Sequence, residues 1–412
     1  MSMWLFFFLT AFNVSLFCKA EVCPCDTKEL CEQIRDEKDF EVLVFDVGQK
    51  AWKSYDWDKV TTVAAFGKYD SELMCHAHSK GARLVLKGDV SISEMVDPAN
   101  RTAWVTEKVD LAKKQFMDGI NLDIEEEVAE SSPEYYALTA LVRETTEAFH
   151  REIPGSQVSF DVAWSPKCID KRCYDYVGIA ESCDLLFVMS YDEQSQIWGD
   201  CVAMANAPFN QTLTGEPPMT TSLMPFQHLF YLFSLYKNQH VPFRLFGIPE
   251  QTHSCLPCSV FFPAYRQYLA MNVDPKKLVM GVPWYGYDYP CLDLSQEGVC
   301  TLAKVPFRGA PCSDAVGRQV PYSAMMKQVN GSMSGRLWDN VQLAPYYIYK
   351  DQSGQAHQVW YDDPESIALK VAYVRDQGLR GTGMWNGNLL DYSNNPVAKQ
   401  QTKDMWEALM GL

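Results

Sequence analysis

The chain has 412 residues, 47% hydrophobic and 13% aromatic, which is enough for a large buried core and excludes a disordered or fibrous protein. Its 52 acidic side chains against 36 basic ones give a formal charge of −16, and no Lys/Arg cluster stands out. That balance argues against nucleic acid and anionic membrane surfaces as partners and favours a neutral or cationic ligand.

In chain order, the first segment is a leader. Trp4 to Phe17 is an apolar run interrupted by Thr10, Asn13 and Ser15, and Cys18 and Ala20 are the small residues a signal peptidase reads, so cleavage is expected after Ala20. No Lys or Arg precedes the run, and it is too short and polar for a membrane span, which needs about 20 apolar residues. Losing Lys19 leaves 35 bases, 52 acids and a charge of −17. Of 14 cysteines, 13 remain after Cys18 departs, too widely spread for a zinc ribbon. Disulfides in an oxidising lumen, with at least one thiol left over, account for them. The sequons at Asn100, Asn210 and Asn330 agree with a secretory route.

Eight short apolar runs follow: Val42 to Val47, Thr61 to Phe66, Ala82 to Leu86, Gly119 to Ile124, Gln157 to Ala163, Asp184 to Ser190, Leu278 to Val282 and Gly381 to Trp385. Between them, segments such as Ser132 to Ile153 and Pro364 to Gln377 carry helix-period apolar residues. This alternation predicts an α/β fold, a (β/α)8 TIM barrel, with chemistry at the carboxyl ends of the strands. A doubly wound sheet is the rival, but no G-x-G-x-x-G opens a helix after the first strand. Residues 287–360, rich in Pro, Gly, Tyr and Cys, read as a small α+β-type subdomain inserted after the seventh strand. Residues 215–264 have no amphipathic period and read as an atypical insertion.

The octet Asp118-Gly-Ile-Asn-Leu-Asp-Ile-Glu125 carries the chemistry. In a strand Asn121, Asp123 and Glu125 share one face, and Ile120, Leu122 and Ile124 the other. Pointing inward near a barrel mouth, two crowded carboxyls raise the proton affinity of one of them, which then serves as a general acid. Glu126 falls on the outer face and Glu127 beyond the strand end. The same run also suits a solvated helix N-terminus, and spacing alone does not separate the two.

At this octet the sequence resembles glycoside hydrolase family 18, whose fourth strand carries D-x-x-D-x-D-x-E. Met189-Ser-Tyr191-Asp192, Gly281-Val-Pro-Trp-Tyr-Gly286, Gly383-Met-Trp385 and Tyr361-Asp-Asp-Pro-Glu-Ser366 resemble further motifs of that family, in order along most of the chain. The Asn-Leu-Asp-Ile-Glu variant and Phe160-Asp-Val-Ala-Trp-Ser165 resemble its lysosomal branch more closely than its chitinases. Two residues depart from the pattern. Asn121 stands where most members have Asp, removing one charge beside Asp123, and Tyr287 replaces an Arg that many chitinases carry.

The resemblance implies substrate-assisted retaining hydrolysis of the β-1,4 bond in the N,N'-diacetylchitobiose core of Asn-linked oligosaccharides. In that scheme Glu125 is the acid, Asp123 holds the acetamido N–H, and Tyr191 donates to the acetamido oxygen. Trp385 floors the sugar, and Asp192, Asn121, Trp164 and Tyr285 are further sugar-binding candidates. No cofactor or metal is expected: Cys75-His76-Ala-His78 lacks a second ligand pair, Gly-x-Ser-x-Gly is absent, and Cys255-Leu-Pro-Cys258 has no thioredoxin-like context. A monomer that reaches the lysosome, or is secreted, follows, with no membrane partner in the mature form. A secreted endo-chitinase and a non-catalytic lectin on the same barrel are the competing readings.

Overall fold

A computed structural model of the chain describes residues 23–411 except 26, 37 and 210–262. The leader, the Asn210 sequon, almost all of the stretch 215–264 and the Cys255–Cys258 pair therefore lie outside the described residues.

The eight apolar runs form one closed parallel barrel. Its strands are β1 (Glu41–Asp46), β2 (Thr62–Ala65), β3 (Arg83–Gly88), β4 (Gly119–Leu122), β5 (Gln157–Ala163), β6 (Leu185–Met189), β7 (Leu278–Pro283) and, after the inserted strands, β15 (Gly381–Trp385). Sequence neighbours pair in parallel around the ring, and β15 closes it between β7 and β1. Each predicted strand has its counterpart within two residues at either end, as do the two helices read from periodicity, now Pro133–Glu152 and Pro364–Asp376.

The period of two sorts the side chains into two layers. Val42, Val44, Val63, Leu84, Leu86, Ile120, Leu122, Val158, Phe160 and Val162 belong to the cluster packed between strands and helices. Leu43, Phe45, Ala64, Val85, Leu185, Phe187 and Val279 belong to a second cluster that fills the barrel. Phe187 occupies space that two glycines leave open. A Cβ on Gly281 would stand 2.5 Å from the ring's Cζ, and one on Gly383 2.8 Å from Cε2, so both motif glycines make room for one phenyl ring.

Between β7 and β15 the chain builds a five-stranded antiparallel sheet, ordered β11-β8-β14-β13-β12. These strands are β8 (Tyr285–Pro290), β11 (Arg318–Pro321), β12 (Leu337–Asp339), β13 (Ala344–Lys350) and β14 (Ala356–Trp360); β9 (Asp293–Leu294) and β10 (Cys300–Thr301) form a separate small ribbon. Among the described residues five disulfides join Cys23 to Cys75, Cys25 to Cys31, Cys168 to Cys173, Cys201 to Cys312 and Cys291 to Cys300. Cys183 is free and buried, and burial pushes its thiol up to about 12, which makes it inert at physiological pH.

The Cys75-His-Ala-His78 cluster is structural. Cys75 is spent in a disulfide, and the buried His78 ring contacts the Leu30 carbonyl and the Asp118 carboxylate, each at 2.8 Å. The Tyr361-to-Ser366 motif is structural too. Asp363 caps the helix Pro364–Asp376, accepting from the Glu365 and Ser366 amides at 3.1 Å, while Asp362 is buried against the Lys370 ammonium. Lys370→Ala leaves Asp362 buried and without its cation, so it is expected to cost about 3–5 kcal/mol in denaturant unfolding. Lys370→Ala with Asp362→Asn should recover part of that loss, measured by the same titration.

Candidate active site

β1, β2, β3, β6 and β7 send apolar side chains into the barrel, and β4 and β5 line it with polar ones. On β4 and β5 the outward rows are Ile120, Leu122, Val158, Phe160 and Val162, so Asn121, Ser159 and Asp161 turn into the barrel. Asn121 is fully buried; its amide donates to Ser159 Oγ at 2.9 Å and to Asp161 Oδ1 at 2.8 Å. Asp123 continues the β4 row just past the strand end, and its amide still donates to the Gly88 carbonyl at 2.8 Å. Its side chain is 17% exposed and lies 3.9 Å from the Lys87 ammonium. Burial first, and then the charge of Glu125, push the Asp123 carboxyl up to about 6.

Glu125 stands at the rim, half-exposed, and accepts from Arg172 Nη1 at 2.7 Å. The Tyr174 hydroxyl holds the peptides on either side of it, reaching the Ile124 carbonyl at 3.0 Å and the Glu126 carbonyl at 2.7 Å. Arg172 comes from the short loop that the Cys168–Cys173 disulfide closes. In that loop Cys168, Asp170 and Lys171 all take left-handed backbone (φ 51°, 54° and 59°), strain of the kind that persists where surrounding contacts over-determine it. Those contacts include Asp170 Oδ2 on Arg172 Nη2 at 3.1 Å and the Ser195 hydroxyl on Asp170 Oδ1 at 3.0 Å. Glu126 faces away and accepts from the Ile92 amide at 3.2 Å, and Glu127 pairs with Lys171 and Arg308, each at 3.2 Å.

Across the barrel, Tyr191 is buried and keeps its hydroxyl proton, because burial and then the Asp161 charge drive its ionisation far above the ordinary phenol range. Asp192 accepts from the Tyr285 hydroxyl at 2.6 Å and the Tyr287 hydroxyl at 3.1 Å; burial outweighs both bonds and lifts it to about 6. Trp385 ends β15, half-buried, tilted against Phe45 at 5.3 Å and edge-on to Phe66 at 5.5 Å. Trp164 is the exception. It is buried and belongs to the cluster that holds Phe160 and Val162. Sequence reasoning missed Asp161, Arg172, Lys87 and Tyr174 altogether.

The whole span 28–230 and 254–388 matches the family described as Glycosyl hydrolases family 18. The chain belongs to this family. It is 61% identical over 387 residues to the human protein named di-N-acetylchitobiase, covering 94% of this chain and 88% of that one. The rat protein of the same name is 60% identical over 390 residues, covering 95% and 93%. Among solved structures, the class V chitinase of Nicotiana tobaccum, an E115Q mutant in complex with NAG4, superposes with a TM-score of 0.62 at 16% identity, covering 89% of this chain and 98% of that one. The likeness to that structure is one of fold.

The buried acids set a pH dependence. Burial raises Asp123 and Asp192 to about 6, Asp314 to about 7 and Glu193 to about 8, and the Asp118 partner raises His78. Each binds its proton more tightly folded than unfolded, so each contributes stability present at low pH and lost as pH climbs through its folded value. The thermal midpoint is therefore expected to fall between about pH 5 and pH 8, and Glu193→Gln should flatten the upper part of that slope in a series of melting scans.

Proposed function

We propose that this chain is a glycosidase that hydrolyses the β-1,4 bond of N,N'-diacetylchitobiose cores left from Asn-linked glycoproteins. The observation that carries the reading is the pair Asp123 and Glu125 at the mouth of a family 18 barrel, in a chain 61% identical to human di-N-acetylchitobiase. The NAG4 complex of the tobacco chitinase supports N-acetylglucosamine oligosaccharides as the ligand class.

In this reading the substrate supplies the nucleophile. Its 2-acetamido oxygen attacks the anomeric carbon of its own sugar as Glu125 passes a proton to the leaving glycosidic oxygen, giving an oxazolinium ion and a free sugar. Glu125, now ionised, takes a proton from water as that water adds to the anomeric carbon and the bond from that carbon to the acetamido oxygen breaks, which restores the acetamide with net retention. Asp123 accepts the acetamido N–H and faces the positive charge that develops on the ring, and Tyr191, held protonated, donates to the acetamido oxygen. The aromatic face of Trp385 lies under the apolar C–H face of the pyranose. Asp192, fixed by Tyr285 and Tyr287, presents its second oxygen to a sugar hydroxyl. The Arg172 ion pair opens when Glu125 takes up its proton.

Delivery to the lysosome through the secretory route is part of the proposal. Five disulfides among the described residues and the exposed sequon residues Asn100 and Asn330 support it. No helix among the described residues is long and apolar enough to cross a membrane.

Glu125→Gln is expected to lower turnover of di-N-acetylchitobiose by about 10²–10⁴-fold with the melting temperature unchanged, and retained turnover would reject the acid assignment. Asp123→Asn should lose about 10²–10³-fold in kcat with a smaller change in KM. Product analysis on a short N-acetylglucosamine oligomer separates the readings: single-sugar release supports this one, internal cleavage an endo-chitinase, and binding without cleavage a lectin.

A further inference from the structure

β3 brings a cation to the barrel mouth. Leu84 and Leu86 pack outward and Val85 inward, so the period of two puts Lys87 on the inner row. Lys87 pairs with Asn121 on β4, and the next carbonyl along β3, that of Gly88, takes the Asp123 amide. The Lys87 ammonium lies 5.1 Å from the centre of the Phe66 ring, which is itself edge-on to Trp385. It is thus a neighbour both of the Asp123 carboxyl and of the aromatic wall that Trp385 completes.

Two acids compete for this ammonium. Asp89, exposed just past the end of β3, accepts from it at 2.8 Å, whereas Asp123 is 3.9 Å away. The shorter separation is a charged hydrogen bond; the longer one is not, yet it still carries a Coulomb attraction at a partly buried carboxyl. Asp123 therefore feels a cation while its oxygens stay free to accept from another donor. Arg172 does not serve in its place, because its two terminal nitrogens are taken by Glu125 and Asp170. The remaining groups that face Lys87 or Asp123 are Glu125 past β4, Asp161 on β5 and Tyr191 past β6, and Lys108 acts on Asp89 from the helix Pro98–Gln115.

We propose that Lys87, tethered by Asp89, is a positioning residue that keeps Asp123 ionised from a distance without occupying the oxygens that the substrate's acetamido N–H must reach. The inference rests on the reading of Asp123 and Glu125 given above. A site that develops positive charge needs Asp123 negative, and burial together with the Glu125 charge works against that by pushing its carboxyl up to about 6. A cation in direct contact would restore the negative charge only to cancel it toward the oxazolinium ion, and it would fill an acceptor oxygen. Asp89 resolves the conflict by holding the ammonium off. Lysine suits the task, being a compact charge on a flexible stem.

The test is a set of pH profiles of kcat/KM on di-N-acetylchitobiose. Lys87→Met removes the cation and keeps most of the stem, so Asp123 binds its proton more tightly, and the acid limb should move up by about one pH unit. Asp89→Asn unties the ammonium, which closes on Asp123. The limb should then move down, and kcat/KM above it should fall about tenfold, because the acetamido N–H must displace a charged hydrogen bond. Lys87→Met combined with Asp89→Asn should stay close to Lys87→Met alone, since Asp89 acts through the ammonium and its own exposed charge is screened. A merely structural role for either side chain produces no opposed shifts. Limbs that stay at the wild-type position, shifts of one sign in both single variants, or an Asp89→Asn shift just as large without Lys87 overturn the proposal. If Lys87→Met melts below the assay temperature, Asp89→Asn against wild type decides by the direction of its limb. Retained turnover in Asp123→Asn overturns the site reading itself, whereas unmoved limbs alongside an impaired Asp123→Asn overturn only the role of Lys87.

Discussion

Everything distinctive in this protein follows from placing carboxyls on the inner face of a closed barrel. Five strands send apolar residues inward, from Leu43 and Phe45 on β1 to Val279 on β7. Asn121, Asp123, Ser159 and Asp161 project into the same space from β4 and β5. Removing an acid from water disfavours its charged form, and a second acid beside it adds repulsion, so the proton affinities of Asp123 and Asp161 both rise.

The scaffold around the site restrains motion. Glu125 is on irregular backbone beyond the end of β4, where strand hydrogen bonds no longer fix it. The Tyr174 hydroxyl takes over that task from a distance of about fifty residues along the chain, and the disulfide-closed loop brings Arg172 to the carboxylate. On the opposite side Asp192, itself in left-handed backbone with φ 54°, is held by two tyrosine hydroxyls and by the Asn206 side chain at its amide. A half-exposed acid and a buried one are thereby given fixed positions by contacts none of which belongs to a strand ladder.

The barrel and the core of the site were legible because both are written in short-range periodicity. Alternation over six or seven residues marks a strand and assigns its faces, so Asn121, Asp123 and Glu125 could be read as one row. The same rule, applied to Phe160-Asp-Val-Ala-Trp-Ser165, puts Asp161 inside and Trp164 with the outward Phe160 and Val162, as the structure has them. Arg172, Lys87 and Tyr174 had no local signal: Arg172 is 47 positions from the Glu125 it binds, and only closure of the barrel makes them neighbours. The acids of the Tyr361-to-Ser366 motif form a helix cap and a buried ion pair.

Burying several acids has a consequence that reaches beyond catalysis. Glu193 lies within three residues of Ser190 and Tyr191 in sequence, is fully enclosed, and has one carboxyl oxygen without a hydrogen-bond partner among the described residues. Its affinity for a proton, like those of Asp123, Asp192 and Asp314, is raised by the fold that encloses it, and linkage makes the fold correspondingly more stable where protons are abundant. Net charge acts in the same direction, since an acidic chain relieves its self-repulsion as carboxylates are protonated. The desolvation that makes the barrel mouth reactive and the desolvation that ties stability to acid are one effect, acting on neighbouring residues of the same strands and loops. A neutralising substitution chosen to ease the second therefore also alters the field in which Asp123 and Glu125 operate, more at Asp192, which feels the Glu125 charge, than at Glu193, whose charged neighbours are Lys370 and Asp362.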